Sequence, residues 1–120
     1  MKINIEDKFF EGGKVIENCY LALDPEEKEV RIEEWVEPNS TPGYIERGRE
    51  YWYELEEGTT KEEIVSLVQK YESLIEKLFA GYSCEWDGHN WQGQLNNSAL
   101  NALNSLDFQL GLYRYGPFMG

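Results

Sequence analysis

The first half of the chain alternates apolar and polar positions with the period of a pleated strand. Lys14 to Leu23 is rich in strand formers, and Val30 to Val36 sets Val30, Ile32 and Val36 against Arg31, Glu33 and Trp35. Between them Asp24-Pro25-Glu26-Glu27-Lys28 has the composition of a turn, so the two runs are expected to pair as an antiparallel hairpin. A first strand over Lys2 to Phe10 would end at the turn Glu11-Gly12-Gly13. The stretch Glu37 to Gly43 carries prolines, glycine and small polar residues and is expected to be a flexible loop; Arg49 to Leu55 then alternates again.

From Lys61 to Ala80 the period changes to that of a helix. Ile64, Leu67, Val68, Tyr71, Leu74, Ile75, Leu78 and Phe79 fall on one side of it. Thr60 followed by Glu63 predicts a capping box at its start, and Gly81 a stop at its end. Tyr82 to Trp86 and His89 to Leu95 read as a second hairpin about the two-residue turn Asp87-Gly88. That turn would oppose Trp86 to His89, Cys84 to Trp91 and Tyr82 to Gly93 on one face, and Glu85 to Asn90 and Ser83 to Gln92 on the other. Asn96 or Asn97 would cap a short second helix to about Asp107, with Ala99, Leu100, Ala102, Leu103 and Leu106 as its apolar set. Phe108 to Tyr115 alternates as a last strand before Gly116-Pro117. The expected fold is α+β: an antiparallel sheet with one long amphipathic helix, a C-terminal hairpin and a short second helix, all in a single domain over residues 1–120.

Charge narrows what such a domain binds. The chain of 120 residues has a formal net charge of −12, which opposes binding to nucleic acid or to an anionic membrane. Residues 1–63 hold 18 acids against 8 bases, and residues 64–120 hold 5 against 3, so the acidity belongs to the first half. Glu26, Glu27, Glu29, Glu33, Glu34 and Glu37 could form an acidic partner surface that imitates phosphates and occupies a basic protein. Cys19 and Cys84 are the only cysteines, and the N-terminus lacks the basic-then-apolar layout of a secretion signal. Free thiols in a reducing cytoplasm are expected. No apolar run reaches the ~18 residues of a membrane span.

Catalytic and metal chemistry find little footing. His89 is the single histidine, no ligand pair has zinc-like spacing, and no phosphate loop or nucleophile elbow is present. A non-enzymatic protein without cofactor is expected. The second hairpin offers a binding alternative, because Tyr82, Trp86 and Trp91 could stack on a purine beside Asp87 and His89. Asn90 and Gln92 would read the purine's edge, and Arg114 would hold a phosphate.

Residues 82–99 carry Tyr82, Trp86-Asp87-Gly88-His89-Asn90-Trp91, Gly93, Leu95 and Ala99. This pattern resembles small acidic accessory proteins of bacteriophages and mobile elements. It is more loosely similar to an aromatic-Gly-His stretch in phage tail and tail-assembly proteins, with Gln92 and Gln94 where acids are usual there. The first resemblance implies an inhibitor of host immune defence, acting in the host cytoplasm either on a defence protein or by sequestering its nucleotide-like signal. The second implies a virion or tail-assembly accessory role. A homo-oligomer is expected in either case.

Overall fold

Strand β4, Cys19–Asp24, is buried along its whole length, and the rest of the domain is arranged around its two faces. The computed structural model describes residues 2–34 and 50–110, with Glu34 and Trp91 described by their backbone alone. β4 pairs antiparallel with β5, Glu29–Glu34, on one side and with β6, Tyr51–Glu54, on the other. The β4–β5 turn forms where its residues predict. Asp24 Oδ1 accepts from the Glu27 amide at 3.2 Å, and Lys28 adopts a left-handed φ of 54° to bring Glu29 opposite Asp24.

Two expectations for the N-terminal segment are corrected. The first strand is short: β1 covers only Lys2–Asn4, and a 3-10 turn at Asp7–Phe9 separates it from β2, Phe10–Glu11. β1 also lies parallel to β5 at the sheet edge, so the four-stranded order β1-β5-β4-β6 is antiparallel except there. The run from Lys14 to Leu23 is likewise interrupted. β3, Lys14–Val15, pairs with β2 through the Gly12-Gly13 turn, whose φ values of 61° and 81° suit glycine, and Asn18 turns with φ 49° before β4 begins.

Strand alternation divides the sheet into an apolar and a charged face. Cys19, Leu21, Leu23, Val30, Ile32, Tyr51 and Tyr53 join the main core. Each large side chain fully buried there contributes about 1.5–3 kcal/mol. The opposite face carries Tyr20, Ala22 and Trp52 in a separate buried cluster. Beside them Arg31 Nε meets Glu33 at 2.8 Å, Nη2 meets Glu50 at 2.6 Å, and Nη1 lies 3.6 Å from Asp24; Trp52 Nε1 donates to the other Glu50 oxygen at 2.8 Å. Burial alone would lower the Arg31 pKa, but the Glu50 and Glu33 carboxylates outweigh it and raise the value, so the guanidinium stays charged.

The helix expected over Lys61–Ala80 is two helices. α1 spans Lys61–Lys70 and α2 spans Glu72–Ala80, meeting at Tyr71, whose φ −104° and ψ 14° leave the helical region. Tyr71 accepts from Ile75 at 3.0 Å and donates to Leu67 at 3.2 Å, so the bond ladder crosses the break. The reason is length. Twenty straight helical residues reach about 30 Å, whereas strands of six residues reach about 20 Å. The bend lets Ile64 and Val68 on one side, and Ile75, Leu78 and Phe79 on the other, stay against the sheet. The Thr60 cap forms as predicted, its side chain accepting from the Glu63 amide at 3.2 Å.

The last described helix is longer than its pattern suggested. α3 runs Asn97–Leu110, so residues 108–110 are helical rather than the start of a strand; residues 111–115 of the expected strand lie outside the described residues, as does the expected 37–43 loop. Asn96 Oδ1 caps α3 by accepting from the Ala99 amide at 2.8 Å, and Ala99, Ala102, Leu103 and Leu106 are buried. α3 packs on α2, and Gly81 makes room for this. A Cβ at Gly81 would stand 2.5 Å from Ala99 Cβ and closer still to Asn96 Oδ1. Gly81 has φ −93°, so space rather than a left-handed turn requires glycine here. No described helix is long and apolar enough to cross a membrane.

Gly81→Ala therefore tests the packing. At an uncrowded site this exchange stabilises by about 0.4–1 kcal/mol. Here overpacking should instead cost about 1–3 kcal/mol, read as a lower midpoint in chemical denaturation.

Candidate functional site

The second hairpin, β7 Tyr82–Trp86 and β8 Trp91–Leu95, is a two-stranded element separate from the main sheet. Its base is fixed where the helices meet, because the Asn96 amide donates to the Gly81 carbonyl at 2.9 Å. The strands pair Tyr82 with Leu95, Cys84 with Gly93 and Trp86 with Trp91. The expected register is thus corrected by two residues. The turn is the four-residue loop 87–90, so His89 does not oppose Trp86 and Asn90 does not oppose Glu85.

Asp87 is the cause of that change. Its Oδ1 accepts from the backbone amides of Asn90 at 2.7 Å and His89 at 2.8 Å, and its Oδ2 accepts from Gln92 Nε2 at 3.0 Å. The Asp87 amide also donates to the Asn90 carbonyl at 3.0 Å. One carboxylate thereby satisfies three donors, which a two-residue turn would not present to it. Gly88 takes φ 100°, a conformation side chains rarely adopt.

A shift of two residues leaves the faces unchanged, since side chains alternate with period two. Tyr82, Cys84, Trp86, Gly93 and Leu95 share one side with position 91, and Ser83, Glu85, Gln92 and Gln94 share the other. Tyr82, Cys84, Gly93 and Leu95 are half-buried at the base, and Leu95 packs against the main core. Outward from them the arm is exposed: Trp86 is 56% accessible, and Asp87, His89, Asn90 and Gln92 are all exposed. The hairpin is therefore anchored at one end by packing and presents a large ring at the other.

The remaining selected residues do not converge on this arm. Glu26 and Glu27 are exposed in the β4–β5 turn. Glu29 lies 3.9 Å from Lys2 Nζ and accepts from Asn4 Nδ2 at 3.4 Å, while Glu33 faces Arg31. Glu34 belongs to β5, and Glu37 and Arg114 lie outside the described residues. The Arg31 cluster with Asp24, Glu50 and Trp52 escaped the sequence reading. Its signal was Arg31 itself, a cation on the polar side of an otherwise acidic strand.

Two surface clefts were also not foreseen. One of roughly 370 Å³ is lined by Lys2, Lys28, Glu76, Phe79 and Ala80, and one of roughly 520 Å³ opens beside Lys14, Ile16 and Glu57; neither includes a hairpin residue. Neither Cys19 nor Cys84 is in a disulfide, and Cys19 Sγ donates to the Glu17 carbonyl at 3.2 Å. Among the described residues no group of three His, Cys, Asp or Glu is placed to hold a metal.

The loop has a pH signature. Amide donors from Asn90 and His89, and then the Gln92 side chain, hold Asp87 below the ordinary aspartate value of 3.8. Because the folded value is depressed, the loop's stabilisation is complete above 3.8 and fades as pH falls through the lower, folded value. In an NMR titration the His89 and Asn90 amide shifts should move together with a midpoint below 3.8; a midpoint at or above it contradicts the bonding. Asp87→Asn should abolish the transition.

Residues 8–106 match the family model described as a domain of unknown function, DUF8280, which takes in strands β2 to β8, α1, α2 and most of α3. No curated protein and no solved structure matches the chain. By the extent of that match, the chain belongs to the DUF8280 family.

Proposed function

We propose that this chain is a non-enzymatic binding protein that engages a host protein through the tip of the β7–β8 hairpin, and that it serves a phage or mobile element as an inhibitor of bacterial immune defence. The observation that carries the reading is Trp86, 56% accessible at the end of an arm whose loop is tied by Asp87. Tryptophan is the side chain most often found as the energetic centre of an interface, and a loop already held in shape loses little entropy on binding. The net charge of −12 and the exposed Glu85 and Asp87 beside the ring favour a partner with a basic rim around an apolar pocket.

Direct occupation of a protein is preferred to capture of a nucleotide-like signal. Edge-reading of a purine by Gln92 would compete with its bond to Asp87, and Asn90 sits in the loop rather than across from the rings. Mimicry by a continuous acidic strand is likewise weakened, because Glu29 and Glu33 already face cations of this chain. The resemblance of residues 82–99 to phage accessory proteins supplies the biological setting, the cytoplasm of an infected bacterium.

The test is phage plating on a panel of defended bacterial strains expressing the chain. Wild type should restore plaques on at least one strain, and Trp86→Ala should not, while retaining its melting temperature. With the relieved defence protein in hand, Trp86→Ala should cost at least about 2 kcal/mol of binding, roughly a 30-fold rise in Kd. Relief of no defence, together with recovery of the chain in purified virions, would replace this reading with the tail-assembly role.

A further inference from the structure

The outward side of α3 differs chemically from the rest of this acidic surface. Leu100, Asn104 and Phe108 stand four residues apart and form one ridge along the helix. All three are exposed, Leu100 to 45% and Phe108 to 88%, while the opposite side of α3 is buried. Asp107 is the single charged residue among the fourteen of α3, and it accepts from the Tyr53 hydroxyl at 2.9 Å. The ridge itself is uncharged in a chain of net charge −12.

We infer that this ridge is a self-association surface, on which a second copy docks its α3 antiparallel about a two-fold axis passing Asn104. Charge selects the occupant. A basic partner would be drawn to exposed carboxylates, which this ridge lacks, whereas two copies of an acidic chain repel least where both surfaces are uncharged. Register supports the same occupant. Leu100 and Phe108 are equidistant from Asn104 along the helix, so an antiparallel pair sets Leu100 against the partner's Phe108 and Phe108 against the partner's Leu100. Asn104 then meets its own copy. A carboxamide is donor and acceptor at once, so two asparagines related by the axis satisfy each other, and an asparagine at a helix interface fixes register in this way.

The ridge follows the four-residue row of the helix, and interdigitation of two such rows sets a crossing angle near about −50°. A fourteen-residue helix is about 21 Å long. The contact is therefore small, below the roughly 1,200 Å² of a standard stable interface, and the dimer is weak and concentration-dependent. This inference is independent of the hairpin reading, and Trp86→Ala should leave it unchanged.

Sedimentation equilibrium from about 1 to 300 micromolar should show a monomer–dimer equilibrium with a Kd of micromolar order. Phe108→Glu should shift it to monomer, with an unaltered melting temperature because the side chain is exposed. In a Cys84→Ser background, Asn104→Cys should form a disulfide-linked dimer under mild oxidation much faster than Asn97→Cys, which lies seven residues from the axis and so does not meet its own copy. A chain monomeric throughout that range, or a dimer indifferent to Phe108→Glu, overturns the proposal. So does equal cross-linking of the two cysteine variants.

Discussion

The approach of α3 to Gly81 holds together two things that sequence keeps apart, the helical layer and the hairpin arm. Asn96 acts in both. Its amide closes the base of the hairpin on the Gly81 carbonyl, and its side chain caps α3 at the Ala99 amide. Because Ala99 sits against the missing Cβ of Gly81, α3 can lie on α2, and residues 82–95 leave and return at almost one point. A larger residue at position 81 would force apart the elements that aim the arm. The exposed tip is thus a consequence of a small residue at the base.

The sheet beneath is organised by a different constraint. β4 is buried on both faces, yet only one of them is lined by the main hydrophobic core. On the other, Arg31 is surrounded by Asp24, Glu33 and Glu50, with the Trp52 indole completing the bonding of Glu50. Such a cluster adds little net stability compared with apolar packing, but removing Arg31 leaves the buried Asp24 and Glu50 carboxylates without their cation, at a cost of about 3–5 kcal/mol. It ties β4, β5 and the approach to β6 in one register. It also draws acids inward, so a count of carboxylates in the sequence overstates the acidity offered to a partner.

What could be read from the residues in advance was local. The Thr60 cap, the Gly12-Gly13 turn, the Asp24–Lys28 turn and the two-faced alternation of the second hairpin each depend on neighbours within a few positions. What could not be read depends on distant partners. The bend at Tyr71 answers the length of the sheet, and the parallel seating of β1 answers the free edge of β5. The glycine at position 81 answers Ala99, eighteen residues on. The Asp87-Gly88 signal failed more instructively. It marks a two-residue turn by backbone preference, but the Asp87 carboxylate gains three donors from a longer loop, and that gain decides the register while sparing the faces.

The arm is carried by the domain and is not part of what folds it. The direct measurement is thermal unfolding of a chain in which residues 83–94 are replaced by Asn-Gly, so that Tyr82 and Leu95 remain paired across a tight turn. The replacement removes the half-buried Cys84 and Gly93 together with the exposed Ser83, Glu85, Trp86, Gln92, Gln94 and loop 87–90, a loss on the order of 1 kcal/mol. A single cooperative transition within about 8 °C of the full chain's midpoint is expected. Loss of the cooperative transition would contradict it, by showing that the arm is a structural part of the core.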